Sequence, residues 1–196
     1  MKIYTQIFIL CTAVLIMGCG IQSIPQSKNN VEASVAEITN QYKRRSDLIP
    51  NLVEVVKGFA KQESQVLIQV TEARAKATSV TIDPTKMSAE KLAAFSQAQG
   101  QLSQALGKLM MITENYPQLK SDQNFRDLQA QIEGTENRIT IARQRYIESI
   151  KEFNNLVGVP VTSWTNALFY HYEKMPQWDL PAEEKAKAEK APEVKF

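Results

Sequence analysis

From Val31 onward apolar residues recur at alternating steps of four and three. The positions are Val31, Val35, Ile38, Tyr42, Arg45, Ile49, Leu52, Val56, Phe59, Glu63, Val66, Val70, Ala73 and Ala77, and twelve of these fourteen are apolar or aromatic. A seven-residue repeat sustained this long predicts amphipathic helix packed against partners of the same period. Pro50 falls inside the pattern. Proline removes a backbone donor and clashes one turn back, which predicts a bend or break near residues 46–49. Asp47 could cap a new helix there. One kinked helix and two separate helices both remain open.

A second seam runs Leu92, Phe95, Gln99, Leu102, Leu106, Leu109, Thr113, Tyr116. Ser88 and Glu90 suit its start and Pro117 its end. A third runs Phe125, Leu128, Ile132, Thr135, Ile139, Ala142, Tyr146, Ser149, Phe153, Leu156, with Ser121 as a possible cap and Gly158 and Pro160 at its close. Short connections between such segments imply antiparallel neighbours. The expected fold is all-α: an antiparallel bundle of about four long helices, the first kinked or broken near Pro50. The 3.5-residue period predicts left-handed supercoiling and shallow crossing angles.

Outside the seams the pattern changes. An apolar run from Ile7 to Met17, after a single Lys2, is too short to span a bilayer and has the length of a secretory core segment. It leads into Ile16-Met17-Gly18-Cys19, which resembles a bacterial lipobox. Residues 1–18 therefore read as a signal peptide, Cys19 as a lipidated N-terminus, and residues 19–30, polar with Pro25, as a tether. The competing reading is an uncleaved anchor helix in the inner membrane. Gly20 after the cysteine suits an outer-membrane lipoprotein facing the periplasm if the cell is Gram-negative. The bundle occupies 31–160. Residues 161–180 crowd Trp164, Phe169, Tyr170, Tyr172 and Trp178 together. They form either a lid on one end of the bundle or a docking or bilayer-interface patch, with Trp164, Phe169 and Trp178 as candidate contacts. Residues 181–196 carry four Glu and four Lys and read as a mobile tail.

Polar residues interrupt the seams at Arg45, Glu63, Gln99 and Thr135. Antiparallel helices turning near residues 80–88 and 117–121 would bring Glu63 level with Gln99, and Gln99 level with Thr135 and Arg138. Glu63, Gln99, Thr135 and Arg138 thus form a candidate buried polar layer. Its expected role is to fix register, since a buried carboxylate without a partner is costly. Glu63→Ala is then expected to lower thermal stability markedly. The cluster Lys43-Arg44-Arg45 reads as a charged surface at a helix end.

Composition narrows the function classes. Basic residues number 23 against 21 acidic, and loss of Lys2 with a signal peptide leaves 22 against 21. Nothing in that balance points to nucleic acid. With Cys11 in the presumed signal and Cys19 acylated, no thiol remains for a disulfide or metal site. One histidine, His171, is too few for zinc, and no nucleotide loop or nucleophile elbow occurs. No catalytic residue, metal or cofactor is expected. Val194 and Phe196 place apolar side chains at the last and third-last positions, a pattern that a PDZ-like groove captures.

Several blocks carry a resemblance. RRSDLIPNLVEVVKGFAKQE at 44–63, EARA at 72–75, ENYPQLKSDQNFRDLQAQIEGTENRITIARQRY at 114–146, KEFNN at 151–155 and APEVKF at 191–196 resemble the LemA family. The resemblance implies an all-helical, membrane-attached protein of the bacterial cell envelope. Members often keep an N-terminal anchor helix, from which the Cys19 lipobox departs, and Ile147 stands where many have Asn. No catalytic residues carry over. Association with membrane proteases or TPM-type proteins implies an envelope protein partner. The expected function is a lipid-anchored scaffold for protein–protein interaction or envelope maintenance, or alternatively a small-ligand or lipid-binding envelope module.

Overall fold

The computed structural model describes residues 2–84 and 87–178, with side chains from residue 21 onward. Its helices are α1 (Lys2–Phe59), α2 (Ser64–Ser79), α3 (Ala89–Thr113), α4 (Pro117–Ser121), α5 (Gln123–Gly158) and α6 (Pro160–Thr165). Among the described residues no strand occurs. The all-α fold expected from the heptads is the fold observed.

The first helix departs from expectation in two places. It passes unbroken through Pro25 and Pro50. The break lies instead after Phe59, where Lys61–Glu63 form a 3-10 turn that reverses the chain. A proline inside a helix deletes the N–H that the carbonyl four residues back would accept. For Pro50 that carbonyl belongs to Ser46, and for Pro25 to Ile21. Both freed carbonyls are taken by distant side chains. Arg74 Nε donates to the Ser46 carbonyl at 2.7 Å, and Tyr170 Oη donates to the Ile21 carbonyl at 2.7 Å. With these acceptors satisfied, one reason for the helix to end at each proline is gone.

The second departure concerns residues 19–30, expected as a tether. They belong to α1, and Ile24 and Ser27 are buried. Steps of three and four from Ile24 through Ser27 to Val31 extend the seam toward the N-terminus.

Caps explain the other ends. Ser88 Oγ accepts from Lys91 N at 3.2 Å, as its sequence position suggested. Asp122 rather than Ser121 caps α5, accepting from Phe125 N at 2.9 Å. Pro117 and Pro160 open α4 and α6 instead of closing the preceding helices. At a first helical position the missing N–H has no partner to lose.

Cross-helix contacts fix the directions. Ser34 meets Ser149, Glu37 meets Arg145 and Tyr42 meets Arg143, so α1 and α5 run antiparallel. Gln99 bonds the carbonyl of Ala77 and Tyr116 bonds Glu63, so α2 and α3 do the same. With 16 residues, α2 spans roughly 24 Å at 1.5 Å per residue, whereas the 36 residues of α5 span roughly 54 Å. Four helices can therefore pack together along only part of the molecule. There Ile49, Leu52, Val56, Val70, Leu102, Leu109 and Phe125 share one apolar cluster. Beyond the end of α2 a second cluster joins Ile24, Val31, Ile38, Phe95, Ile139, Tyr146 and Phe153. The chain after α6 returns over this second cluster, bringing Tyr170, Tyr172, Met175 and Trp178 against it.

Candidate functional site: the aromatic end and the polar layer beside it

Between the two clusters lies a buried charge. Arg45 is 1% exposed and belongs to the seam, not to a surface cluster with Lys43 and Arg44. Its Nη1 pairs with the Glu136 carboxylate and donates to Ser103 Oγ at 2.9 Å. Its Nη2 donates to Gln99 Oε1 at 2.6 Å, and the Tyr42 ring lies 5.2 Å from the guanidinium carbon. Gln99 Nε2 passes the network on to the carbonyl of Ala77 at 3.2 Å. One layer thus joins α1, α2, α3 and α5.

This layer corrects the one expected. Gln99 is in it. Thr135 is buried beside Glu136 but bonds its own helix, donating to the carbonyl of Gln131 at 2.7 Å. Arg138 is exposed and donates to Thr135 Oγ1 at 3.3 Å. Glu63 is elsewhere. It sits in the turn between α1 and α2 and accepts from Tyr116 Oη at 3.1 Å. The register of α2 on α3 sets this difference: Gln99 lies level with Ala77 and not with Glu63, which falls level with Tyr116. Partial burial, with the Glu63 carboxylate beside it, raises the Tyr116 hydroxyl above the ordinary tyrosine value.

At the far end of the second cluster, α6 runs into a π-helical turn, Asn166–Tyr170. His171 then takes a left-handed conformation, φ 56°, and reverses the chain. Two asparagines hold the returning segment by pairing both amide groups with backbone. Asn166 Nδ2 donates to the carbonyl of Tyr172 at 2.9 Å, and Asn166 Oδ1 accepts from Tyr172 N at 3.0 Å. Asn154 does the same to Met175, at 2.9 and 2.8 Å.

These clamps sort the aromatic residues. Tyr170 and Tyr172 stack with centroids 5.5 Å apart, and Tyr172 lies 6.1 Å from Phe153. Trp178 meets Phe95 and Tyr146 edge-on at 6.3 and 5.8 Å, with Arg143 over its ring. These rings close the core. Trp164, Leu168 and Phe169 instead face outward, 73%, 67% and 56% exposed, with Val159 and Val161 beside them in sequence. Of the candidate contacts, Trp164 and Phe169 thus share an exposed end while Trp178 is packed nearer the middle of the molecule. Cys19, Val194 and Phe196 lie outside the residues whose side chains are described.

No Asp, Glu, Lys, Arg or His occurs from residue 159 to 170, and Lys174, packed against Gly158, places a cation at the edge of this end. It offers an apolar contact surface. Sequence reasoning missed Leu168 and Val161 because it weighed only the aromatic residues. A cavity of about 300 Å³ lies away from this end, beside Thr39, Tyr42, Phe95 and Gln99. Among the described residues no cluster of three or more metal-ligating side chains occurs. No helix among them is long and apolar enough to cross a membrane.

Compared with known proteins, residues 34–196 match the family model described as the LemA family. No curated protein matches the chain.

Proposed function

Because the chain belongs to the LemA family, we propose that it is a lipid-anchored helical scaffold of the bacterial cell envelope, attached through Cys19, that binds an envelope protein and catalyses no reaction. The observation that carries this reading is the continuity of α1. The helix that forms the spine of both apolar clusters has no interruption between residue 19, where the attached chain would begin, and Phe59. Attachment near residue 19 then holds the bundle directly, with no slack segment between lipid and core. Two or three acyl chains on one cysteine give stable anchoring, whereas one does not. In a Gram-negative cell the bundle faces the periplasm from the outer membrane. A membrane protease or a TPM-type protein is the class of partner proposed. The test is mass analysis of the membrane-bound form. A chain beginning at an acylated Cys19 is expected; an unmodified Met1 on that form contradicts lipidation and favours an anchor helix.

A second reading, a small-ligand module, rests on the cavity beside Tyr42 and Phe95, where Thr39 Oγ1 is buried without a partner. It predicts that an added envelope lipid or metabolite raises the melting temperature saturably, and that Phe95→Trp abolishes the rise.

A further inference from the structure

Resting on that anchoring, we infer that residues 159–170 form a second contact with the membrane, with Trp164, Leu168 and Phe169 seated at the boundary between headgroups and acyl chains. The argument is one of reach. Tyr170 Oη holds the carbonyl of Ile21 at 2.7 Å, so the exposed end is fixed to the point where α1 approaches residue 19. Two residue steps separate Ile21 from Cys19. They cover roughly 3 Å in a helix and at most about 7 Å if extended. Wherever lipid or an anchor begins at residue 19, the bilayer surface is within a side chain's length of Tyr170. An end held that close touches the membrane.

The chemistry of the patch suits that occupant. Trp is enriched at bilayer interfaces because its ring is amphipathic, and Leu and Phe bury favourably in the acyl boundary. Trp164, Leu168 and Phe169 are all more than half exposed, Ile21 is 37% exposed, and no charged side chain interrupts residues 159–170. The stretch itself offers only hydroxyls and amides, and Lys174 against Gly158 places a cation at its edge, which suits a surface of anionic headgroups. The bundle then stands on its end with α1 as its axis and α6 as its foot. The polar layer and the α1–α2 turn lie away from the bilayer.

The test uses the full chain, purified from membranes with its native attachment and reconstituted into phosphatidylcholine–phosphatidylglycerol vesicles. The lipids carry bromine either high or low on the acyl chains. Trp164 and Trp178 are the chain's two tryptophans, so Trp164→Phe separates their signals. The wild type is expected to lose a large share of its fluorescence to the high bromines and less to the low ones. Trp164→Phe is expected to lose that quenching while melting like the wild type. Protein that floats with the vesicles but shows no quenching at Trp164 overturns the second contact and leaves the anchoring intact. Protein that fails to float overturns the anchoring reading, and the contact with it. An unquenched Trp164 that crosslinks to a protein in intact cells assigns the patch to that protein instead.

Discussion

The two halves of the bundle solve the same problem with different parts. Each is built on α1 and α5, and each needs a further layer to bury its apolar face. In the half containing Ile49–Val56 that layer is α2, a regular helix on the same seam. In the half containing Ile24–Tyr42 it is an irregular segment after α6, held by two asparagine amides and by aromatic contact. Each closing element also sends one donor to a carbonyl freed by a proline: Arg74 to Ser46, and Tyr170 to Ile21. The prolines are thus points of attachment and not breaks. A helix closes its half through many repeated apolar contacts, whereas the segment depends on a few specific bonds. The second half is accordingly the one expected to open first.

The polar layer between the halves carries the largest expected effect. Glu136→Ala leaves Arg45 buried without its anion. The loss expected is about 2–3 kcal/mol by chemical denaturation, below the ~3–5 kcal/mol of a fully buried pair because the Glu136 side chain is 42% exposed. An unchanged midpoint would show that Arg45 finds water or another partner. Next in size is the contrast between the two donors. Arg74→Met is expected to cost about 1–3 kcal/mol and Tyr170→Phe about 0.5–1.5 kcal/mol, since a bond to a charged donor is the stronger. Hydrogen exchange should show the first substitution exposing residues around 46–56 and the second exposing residues around 21–35. Loss of protection across both halves in either variant would contradict their independence.

Alkaline titration reaches the second half through Tyr146, while the raised Tyr116 hydroxyl adds its own dependence in the other half. Burial raises the hydroxyl of Tyr146 above its ordinary value of 10.0. Above pH 10 the unfolded chain therefore gives up this proton while the folded chain keeps it. Stability contributed by Tyr146 is present below pH 10 and falls as the pH rises beyond it. Tyr146→Phe is expected to flatten that fall in a melting series from pH 9 to 11, and an unchanged slope would assign the fall to other groups. The smallest effect belongs to Glu63→Ala. A half-buried carboxylate with one hydroxyl partner predicts a loss below about 1 kcal/mol, not the marked loss expected had Glu63 been in the central layer. A large loss would place Glu63 back among the core determinants.

The heptads made most of the helical core legible, because a 3.5-residue period leaves few alternatives for Leu102, Leu109, Ile139 or Phe153. They also held Arg45 on the seam. Its burial was readable from position, but three consecutive basic residues suggested a surface. Glu136 carried no such signal, since nothing local separates it from other helix-face carboxylates. The proline effects were not legible either. Whether a freed carbonyl breaks a helix depends on a donor 28 residues away in the case of Arg74, and 149 away in the case of Tyr170. Residues 161–180 showed the same limit. Composition identified an aromatic segment, while the inward or outward fate of each ring was set by Asn154 and Asn166, polar residues that no pattern singled out.

The central claim is that tertiary donors let α1 continue through its prolines. A double-mutant cycle on Arg74→Met and Pro50→Ala tests it most directly. Alanine at position 50 restores the N–H that the carbonyl of Ser46 would otherwise receive from Arg74. Loss of the arginine should then cost about 1–2 kcal/mol less in the Pro50→Ala background than in the wild type. Equal costs in both backgrounds would mean that the Arg74 bond does not answer the proline, and the account of α1 as one proline-tolerant spine would fail.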